Sequence, residues 1–415
     1  MQLPRSNLVV GLDIGTTKIC AIVAEQNGSP DGELKIVGVG TSSSEGLRRG
    51  VVVNVEKTVE SIRRAIGEAE LMAGVKISSV YAGIAGDHIR SINGRGVIAV
   101  SGEENEIDDS DVRRVIDAAK AIAIPIDREI IHVLPQEYIV DDQPGIKDPV
   151  GMSGIRLEAE VHIVTGAVTS AQNIVKSVRR AGIDVADIVL EPLAASNAVL
   201  SSDEKELGVA LIDIGGGTTD IAIFFEGSVR HTAVIGLGGQ NVTNDIAIGL
   251  RTPWNQAERI KQQYGCALVN MVGDKEVISV SGVGGRPPHD VPRRVVAEII
   301  EPRMAELLGL ALREIRKTDY ADLLGAGIVL TGGGSVLTGT IELAEQIFDM
   351  PVRHGIPEGI TGLVNEVSSP IYATGVGLVQ FGTENRHVDM SNVSDSDKLF
   401  DTIIDRMKSW FREFF

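Results

Sequence analysis

Two short segments of the chain have the composition of phosphate-binding loops. One is Asp13-Ile-Gly-Thr-Thr-Lys18 and the other is Asp213-Ile-Gly-Gly-Gly-Thr-Thr-Asp220, each directly after an apolar stretch. Glycines let the backbone come close to a phosphate, and backbone N–H groups and threonine hydroxyls can donate to its oxygens. Aligned by aspartates and threonines, Asp13 pairs with Asp213 and Lys18 with Asp220, and the second segment has two extra glycines. We therefore predict two facing phosphate loops, one in each half of the chain.

Charged residues complete these two loops. Asp13 and Asp213 each stand one residue before a glycine turn, where two carboxylates suit an Mg²⁺ ion that keeps most of its waters. Lys18 supplies a point charge for a β- or γ-phosphate. A third glycine loop, Thr331-Gly-Gly-Gly-Ser335, lies between a predicted strand and a predicted helix. Each motif alone fits an ordinary turn of an α/β protein, but together they predict a nucleotide clamp.

The composition excludes some classes of protein. The 415 residues carry a formal net charge of −18, which argues against nucleic-acid binding. Two cysteines, Cys20 and Cys266, cannot form a disulfide framework and indicate a reduced cytosolic setting, with Cys20 an ordinary core residue. We recognise neither a secretory signal peptide nor an apolar run long enough to span a membrane. Any membrane role is therefore expected from a surface-lying segment.

Strands and helices must position these loops. Apolar alternation predicts a β-hairpin around each of them, and helical spacing predicts helices over 58–74, 170–181, 192–200, 240–249, 255–264, 292–317 and 337–349. Residues 85–162 differ from the rest and predict a small inserted α/β subdomain. In this insert a helix begins at Asp108 or Asp109, and strands at 129–140 and 156–164 flank a polar stretch. A polar segment at 383–396 predicts a flexible linker.

The last nineteen residues, 397–415, have the pattern of an amphipathic helix. At 100° per residue the apolar side chains fall within an arc of about 160°, and Arg406 and Lys408 lie at its two edges. Acidic and basic residues balance in this segment, so burial of the apolar face, and not charge, is expected to drive its binding. We predict weak, reversible binding to a membrane surface, with docking on the protein's own core or in a partner's groove as alternatives. The apolar face comprises Leu399, Phe400, Ile403, Ile404, Met407, Trp410, Phe411, Phe414 and Phe415.

The order of the motifs resembles that of the actin-like ATPase superfamily. Between the two aspartate loops stands Leu190-Glu-Pro-Leu-Ala-Ala-Ser196, and Ala373-Thr-Gly-Val-Gly377 follows the third glycine loop. The resemblance implies the two-domain actin/Hsp70 fold with duplicated β-sheet cores, and ATP with Mg²⁺ between the domains. It implies that Glu191 orients the attacking water, whereas from its position alone Glu191 could equally offset a helix dipole. Asp13 and Asp213 are the other catalytic candidates.

The same resemblance assigns the nucleotide-binding residues. The phosphate loops contribute Gly15, Thr16, Thr17, Lys18, Gly215, Gly216, Gly217, Thr218 and Thr219. The adenosine side comprises Gly238, Gly239, Gln240, Glu258, Lys261, Gly332, Gly333, Gly334 and Ser335. ATP binding is expected and slow hydrolysis is compatible with it, but we find no substrate base that would mark a metabolic enzyme.

Within this superfamily the whole chain resembles the FtsA family of bacterial cell-division proteins. The insert after Ile84, the amphipathic tail and segments such as His132-Val-Leu-Pro-Gln-Glu-Tyr138 carry the likeness. The likeness implies subdomains 1A (1–84, 163–197 and 360–382), 1C (85–162), 2A (198–228 and 304–359) and 2B (229–303). The linker (383–396) and the membrane-targeting helix (397–415) follow them.

This second resemblance also implies partners. The protein would self-assemble at the division septum, on the cytoplasmic face of the inner membrane, as a peripheral membrane protein that anchors the FtsZ ring. The FtsZ C-terminal tail would bind subdomain 2B through Arg293, Arg294 and Arg303, unless these are solvated surface charges. Arg286 would lie at a filament contact or in a plain surface turn, and later divisome proteins would bind subdomain 1C. The alternative is an ATP-consuming enzyme, either a small-molecule kinase or a chaperone-type ATPase.

Overall fold

The computed structural model describes residues 8–26, 33–101, 103–285 and 287–390. The strands are β1 (Leu8–Ile14), β2 (Lys18–Gln26), β3 (Leu34–Ser43), β4 (Leu47–Arg48), β5 (Val51–Val52), β6 (Ser79–Ile84), β7 (Arg90–Ala99), β8 (Arg128–Val140), β9 (Gln143–Ile146), β10 (Arg156–Ala167), β11 (Asp184–Leu190), β12 (Val209–Ile214), β13 (Thr219–Phe225), β14 (Ser228–Ile235), β15 (Val277–Val280), β16 (His289–Pro292), β17 (Ile328–Thr331), β18 (Val352–His354) and β19 (Ile360–Gly362).

Helices alternate with these strands along most of the chain. They are α1 (Val55–Ala73), α2 (Asp109–Lys120), α3 (Val168–Arg180), α4 (Glu191–Val199), α5 (Ser202–Leu207), α6 (Gly239–Gly249), α7 (Trp254–Tyr264), α8 (Arg293–Ile315), α9 (Thr340–Phe348), α10 (Val364–Val367) and α11 (Ala373–Met390). Among the described residues, every helix is too short or too polar to cross a lipid bilayer.

Two large sheets repeat one arrangement, which confirms the predicted duplication of the core. The first has the order β11-β6-β1-β2-β3-β19, and the second has the order β14-β13-β12-β17-β18. In the first, β1 is antiparallel to β2 and parallel to β6, and in the second β12 is antiparallel to β13 and parallel to β17. Each sheet therefore presents a hairpin turn at the end of a buried central strand.

Helix α1 shows how the first sheet is covered. The Asn54 side chain accepts a hydrogen bond from the Lys57 N–H at 3.1 Å and begins the helix, and Gly74 ends it with a φ of 68°. Gly38 and Gly40 of β3 lie directly beneath, and a Cβ at either position would overlap the helix backbone or Ala73. Small residues on the strand thus bring helix and sheet together and fix the sheet that carries the first loop.

Residues 90–167 form a separate four-stranded sheet, in the order β7-β10-β8-β9, with α2 packed on it. Asp108 caps α2 in a reciprocal arrangement with Asp111, so the helix begins where the sequence predicted. Strand β9 lies inside the stretch that we predicted to be irregular. It pairs with β8 only at Tyr138–Ile146 and Val140–Gln143, which is too short and too polar to give a strand signal.

Two predicted boundaries differ from the structure, and one helix was not predicted. Strand β14 pairs with β13 along its length and belongs to the second large sheet. The boundary predicted between subdomains 2A and 2B, at 228/229, would separate β14 from that sheet. Helix α5 was not predicted because its six residues have no apolar face, although Ser201 and Glu204 form a capping box. Helix α11 continues through 383–390, the first part of the predicted linker, because neither glycine nor proline follows Gly382 to stop it.

Candidate nucleotide site

The two hairpin turns have the same length, which corrects the predicted alignment. Ile14 lies opposite Ile19 in the first hairpin, and Ile214 lies opposite Thr219 in the second. The N–H of Gly15 donates to the carbonyl of Lys18 at 3.0 Å, and the N–H of Gly215 donates to the carbonyl of Thr218 at 2.9 Å. There is no glycine insertion: by position in the turn Lys18 corresponds to Thr218, and Asp220 corresponds to Cys20.

The two turns touch each other across the cleft. A Cβ on Gly216 would lie 2.5 Å from Thr17 Cγ2, and one on Gly217 would lie 2.6 Å from Thr16 Oγ1. The threonines of the first loop therefore pack crosswise against the glycines of the second, since Gly216 meets Thr17 and Gly217 meets Thr16. We conclude that Gly216 and Gly217 leave room for the opposite loop, in addition to allowing backbone conformations that other residues rarely adopt.

Four carboxyl groups surround this contact. Burial raises the pKa of Asp13, and the positive charge of Lys18 partly offsets this rise. Burial and the neighbouring Asp13 raise the pKa of Asp213 to about 6. Burial and then Asp213 raise the pKa of Asp220 to about 8. The pKa of Glu191 lies well above its ordinary value because of burial and these three neighbours. Burial therefore disfavours the ionised forms of these four groups, and a bound cation would favour them.

Lys18 is the cation that faces these carboxyl groups. Its Nζ lies 3.9 Å from Asp13 Oδ2, donates to the carbonyl of Ile371 at 2.6 Å and stands 4.5 Å from the Tyr372 ring centroid. Asp220 Oδ1 is buried and has no hydrogen-bond partner among the described residues. In that same part of the chain, no three His, Cys, Asp or Glu side chains converge closely enough to hold one metal ion directly.

The third glycine loop is built onto the second phosphate loop. Gly332 has a φ of 79°, and a Cβ there would overlap Asp213 Oδ1, so only glycine fits. The N–H of Gly334 donates to the carbonyl of Ile214 at 2.7 Å. Ser335 is fully buried, and its hydroxyl donates to the Gly332 carbonyl at 2.8 Å. This serine therefore shapes the loop instead of facing the cleft, contrary to the prediction.

Helices α6 and α7 form the side of the cleft predicted to hold adenosine. Lys261 Nζ contacts Glu258 at 2.8 Å and donates to the Gly239 carbonyl at 3.1 Å. Burial alone would raise the pKa of Glu258, but Lys261 and hydrogen bonds from Lys261, Thr243 and Gln262 hold it below its ordinary value. Glu258 is therefore charged at neutral pH and fixed for contact with a polar group such as a ribose.

The cleft has a volume of about 800 Å³ and brings most of the predicted site residues together. Gly217, Thr219 and Gly238 do not line it. Thr219 is fully buried and donates to the Leu237 carbonyl at 2.9 Å. Sequence reasoning missed Asp220 as an acidic member of the site, as well as Trp254 and Thr374, which also line the cleft. The predicted alignment treated two glycines of the second loop as an insertion and so paired Asp220 with Lys18. For that reason Asp220 was not recognised as an acidic residue of the site.

Glu191 is one of the residues that line the cleft. It is the first residue of α4, it is half-buried, and it lines the cleft with Asp13 and Asp213. A Cβ on Gly83 would lie 3.1 Å from Glu191 Cγ, so the glutamate side chain rests on β6. Its raised pKa and its carboxyl neighbours suit a group that exchanges protons or holds a water.

The arginines proposed for partner binding are all paired within the chain. Arg293 contacts Glu276 at 2.6 Å, and Arg294 contacts Asp274 at 3.1 Å and Glu298 at 3.3 Å. Arg303 is held by Asp245 and Glu306. Arg286 and the tail 397–415 lie outside the described residues, so their predicted roles stay predictions.

The duplicated sheets, the facing hairpin loops and the cleft between them define an actin-like ATPase fold. The structure of a PilM–PilN type IV pilus biogenesis complex superposes with a TM-score of 0.66 at 17% identity, over 92% of this chain and 100% of that one. MreB5 of Spiroplasma citri bound to ADP gives a TM-score of 0.57 at 14% identity, over 94% and 100%. A MamK double helical filament gives 0.50 at 14% identity, over 90% and 98%.

The chain belongs to the FtsA family of cell division proteins. The family model "Cell division protein FtsA" matches residues 210–377, and the model "SHS2 domain inserted in FTSA" matches 86–165. The cell division protein FtsA of Pseudomonas aeruginosa is 52% identical over 99% of this chain and 98% of its own length. That of Neisseria meningitidis serogroup B is 48% identical over 89% and 88%. The family assignment confirms the resemblance and leaves the kinase or chaperone alternative without support.

Proposed function

We propose that this cell-division protein binds ATP with Mg²⁺ between its two halves and that the bound nucleotide controls self-assembly. The observation that carries the proposal is the direct contact of the two hairpin loops beside four carboxyl groups with raised pKa values. A bound cation would favour their ionised forms, and Asp220 Oδ1, which has no hydrogen-bond partner among the described residues, is one of their oxygens. Asp13 and Asp213 would hold Mg²⁺ through its waters, which requires no direct ligand cluster.

The residues around the phosphates have separate tasks in this proposal. Backbone N–H groups of the two turns and the hydroxyls of Thr16, Thr17 and Thr218 donate to phosphate oxygens, and Lys18 offsets their charge. Glu191 orients a water for slow hydrolysis, which would act as a clock for disassembly. Bound Mg²⁺ supplies further charge compensation at the phosphates.

Titration of ATP into the protein, with and without Mg²⁺, tests the nucleotide site. We expect saturable binding that requires Mg²⁺ and that weakens at least about tenfold in Asp213→Ala, a loss of about 1.4 kcal/mol. Asp319→Asn, with an exposed side chain away from the cleft, is the control of similar charge change. Unchanged affinity in Asp213→Ala would refute the site.

Assembly at the division septum is the cellular role that we propose for the nucleotide-bound protein. The family supports a role in division, and the MamK structure of the same fold is a double helical filament, which supports self-association as the use of the nucleotide clamp. Arg286 would contribute to a filament contact, and the insert would bind later division proteins.

Attachment to the cytoplasmic face of the inner membrane is proposed from the amphipathic pattern of 397–415. Each large apolar side chain contributes at most about 1.5–3 kcal/mol on full burial, so a single tail binds weakly and an assembled array binds tightly. Because α11 extends to Met390, the matched comparison is the full chain against a chain ending at Met390. Liposome flotation should recover only the full chain, and equal flotation of both would exclude the anchor.

Binding of the FtsZ C-terminal tail is proposed for Arg293 and Arg294. Their side chains are 22% and 45% exposed, and surface ion pairs cost little to exchange, so an acidic peptide can displace Glu276 or Asp274. Arg303 is held by two carboxylates and takes a supporting role. Fluorescence anisotropy with a labelled FtsZ tail peptide should show weaker binding to Arg294→Glu than to Arg113→Glu in the insert. Equal binding would remove Arg294 from the site.

A further inference from the structure

Strand β8 of the insert lies against the outer edge of the first sheet. Strand β11 is the terminal strand of that sheet, so among the described residues one of its two edges has no neighbouring strand of the same sheet. At its last residue, Leu190, the backbone N–H donates to His132 Nε2 of β8 at 2.9 Å. The next residue is Glu191, the first residue of α4. A side chain of the insert therefore fixes the backbone immediately before the candidate water-orienting carboxylate.

The surroundings of His132 suit this single task. Its ring meets Phe381 of α11 edge-on, with centroids 6.3 Å apart and an interplanar angle of 70°. Helix α11 in turn packs along α4, so His132 is enclosed by the two elements that border the Glu191 helix. Accepting from Leu190 requires a free lone pair on Nε2 and places the ring proton on Nδ1. Burial lowers the pKa of His132 to about 4, which keeps the ring neutral at physiological pH.

The same strand also contacts the second half of the molecule. Gln136 Nε2 donates to the carbonyl of Val229 at 2.8 Å and to that of Arg230 at 3.2 Å. The Ser228 hydroxyl donates to the Gln136 carbonyl at 3.0 Å. His132 and Gln136 stand four positions apart on β8. Through them this one strand contacts both β14, the edge strand of the second large sheet, and Leu190, the residue next to Glu191.

We propose that His132 is a positioning residue for Glu191 and that the insert sets the geometry of the nucleotide site through it. The proposal rests on the proposed function, since it takes Glu191 as the residue that orients the attacking water. Without the His132 acceptor, the Leu190 N–H turns toward another partner and the first turn of α4 shifts. Displacement of a catalytic group by a fraction of an ångström slows chemistry while leaving nucleotide contacts in the loops intact.

Single-turnover hydrolysis of Mg·ATP by the full chain tests this assignment, alongside equilibrium binding of the same nucleotide. We expect His132→Ala to slow cleavage roughly tenfold or more with nucleotide affinity unchanged. His132→Gln, whose amide oxygen can accept from Leu190, should recover part of the rate. Ile130→Ala, on the same strand with a side chain 37% exposed, is the control for general weakening of β8. Thermal unfolding of each variant shows that it is folded.

A double-mutant cycle separates positioning of Glu191 from a structural effect. In a Glu191→Gln background the His132→Ala change should cost no further rate, because both act on one group. Multiplicative losses, or a His132→Ala variant that cleaves like the wild type, would overturn the proposal. A wild-type chain that binds ATP without cleaving it would also overturn it, while the proposed nucleotide clamp would stand. Failure of the wild-type chain to bind ATP would instead contradict the proposed function.

Discussion

Asp220 shows what a single residue contributes to this cleft. It occupies the position that Cys20 has in the first hairpin, so the duplicated loops differ by one buried carboxyl group. Its Oδ1 has no partner among the described residues, and its neighbours are Asp213 and Thr218. Such a group is costly when ionised unless a cation is near. A bound cation would therefore favour ionisation of Asp220 and stabilise the filled cleft.

The raised pKa of Asp220 has a consequence for stability. Burial and Asp213 raise the pKa of Asp220 to about 8 in the folded protein, whereas an exposed aspartate in the unfolded chain has an ordinary pKa of about 3.8. The folded protein thus binds more protons in this window, and its stability falls as the pH rises from about 4 to about 8. Asp220→Asn should remove part of this fall and raise the unfolding temperature at pH 8 by roughly 2–4 °C, with a smaller gain at pH 5.

Thermal unfolding without nucleotide, followed by circular dichroism at the two pH values, measures this effect. Asp319→Asn removes the same charge from an exposed position and should give no such pH dependence. A loss of stability at pH 8 in Asp220→Asn would show that the ionised carboxylate is well accommodated in the empty cleft.

Gly332 and Gly333 form a matched pair at the third loop. Gly332 has a positive φ and no room for a Cβ beside Asp213, whereas Gly333 has open space and an ordinary φ. Gly332→Ala should displace the Asp213 carboxylate and weaken Mg·ATP binding about tenfold or more, since it combines strain with a clash. Gly333→Ala leaves the Asp213 carboxylate in place, so its loss of affinity should be smaller than that of Gly332→Ala. Equal affinities for the two variants in a nucleotide titration would contradict the described contact.

At the scale of elements, the sequence predicted most of what local patterns determine. The hairpins, α1 with its glycine stop and the start of α2 at Asp108 follow from apolar spacing and capping residues. The features that were not predicted from the sequence depend on tertiary contacts. The equal length of the two turns is set by strand register, and β14 belongs to the second sheet because it pairs with β13. The ion pairs of Arg293, Arg294 and Arg303 join segments distant in sequence, so no local pattern indicates them.

Glycines in α1 and β3 provide a test at this scale. Gly67 lies inside α1 with nothing within reach of a Cβ, whereas a Cβ on Gly40 would overlap the backbone of Ala65 and Ala69. Gly67→Ala should stabilise the protein by about 0.5–1 kcal/mol. Gly40→Ala should destabilise it by about 1–3 kcal/mol, because helix and sheet must separate. Urea unfolding measures both changes, and a stabilising Gly40→Ala would contradict the described packing.

At the scale of the whole molecule there are three parts: a cleft proposed to bind nucleotide, an insert that contacts both halves, and a tail whose sequence has an amphipathic pattern. The fold and the family connect the first two with cell division. The two hairpin loops of the cleft already touch across the two halves of the molecule. Nucleotide binding is therefore proposed to set the relative position of the halves and thereby the surfaces that copies of the chain present to each other.

Electron microscopy of the full chain on lipid monolayers with Mg·ATP tests the central claim, control of assembly by the cleft, most directly. The wild-type protein and Gly333→Ala should form ordered filaments on the lipid with nucleotide and should form none without it. Gly332→Ala and Asp213→Ala should remain unassembled under the same conditions, although their tails are intact. Filaments of equal length and number from an Asp213→Ala protein that no longer binds ATP would contradict the account.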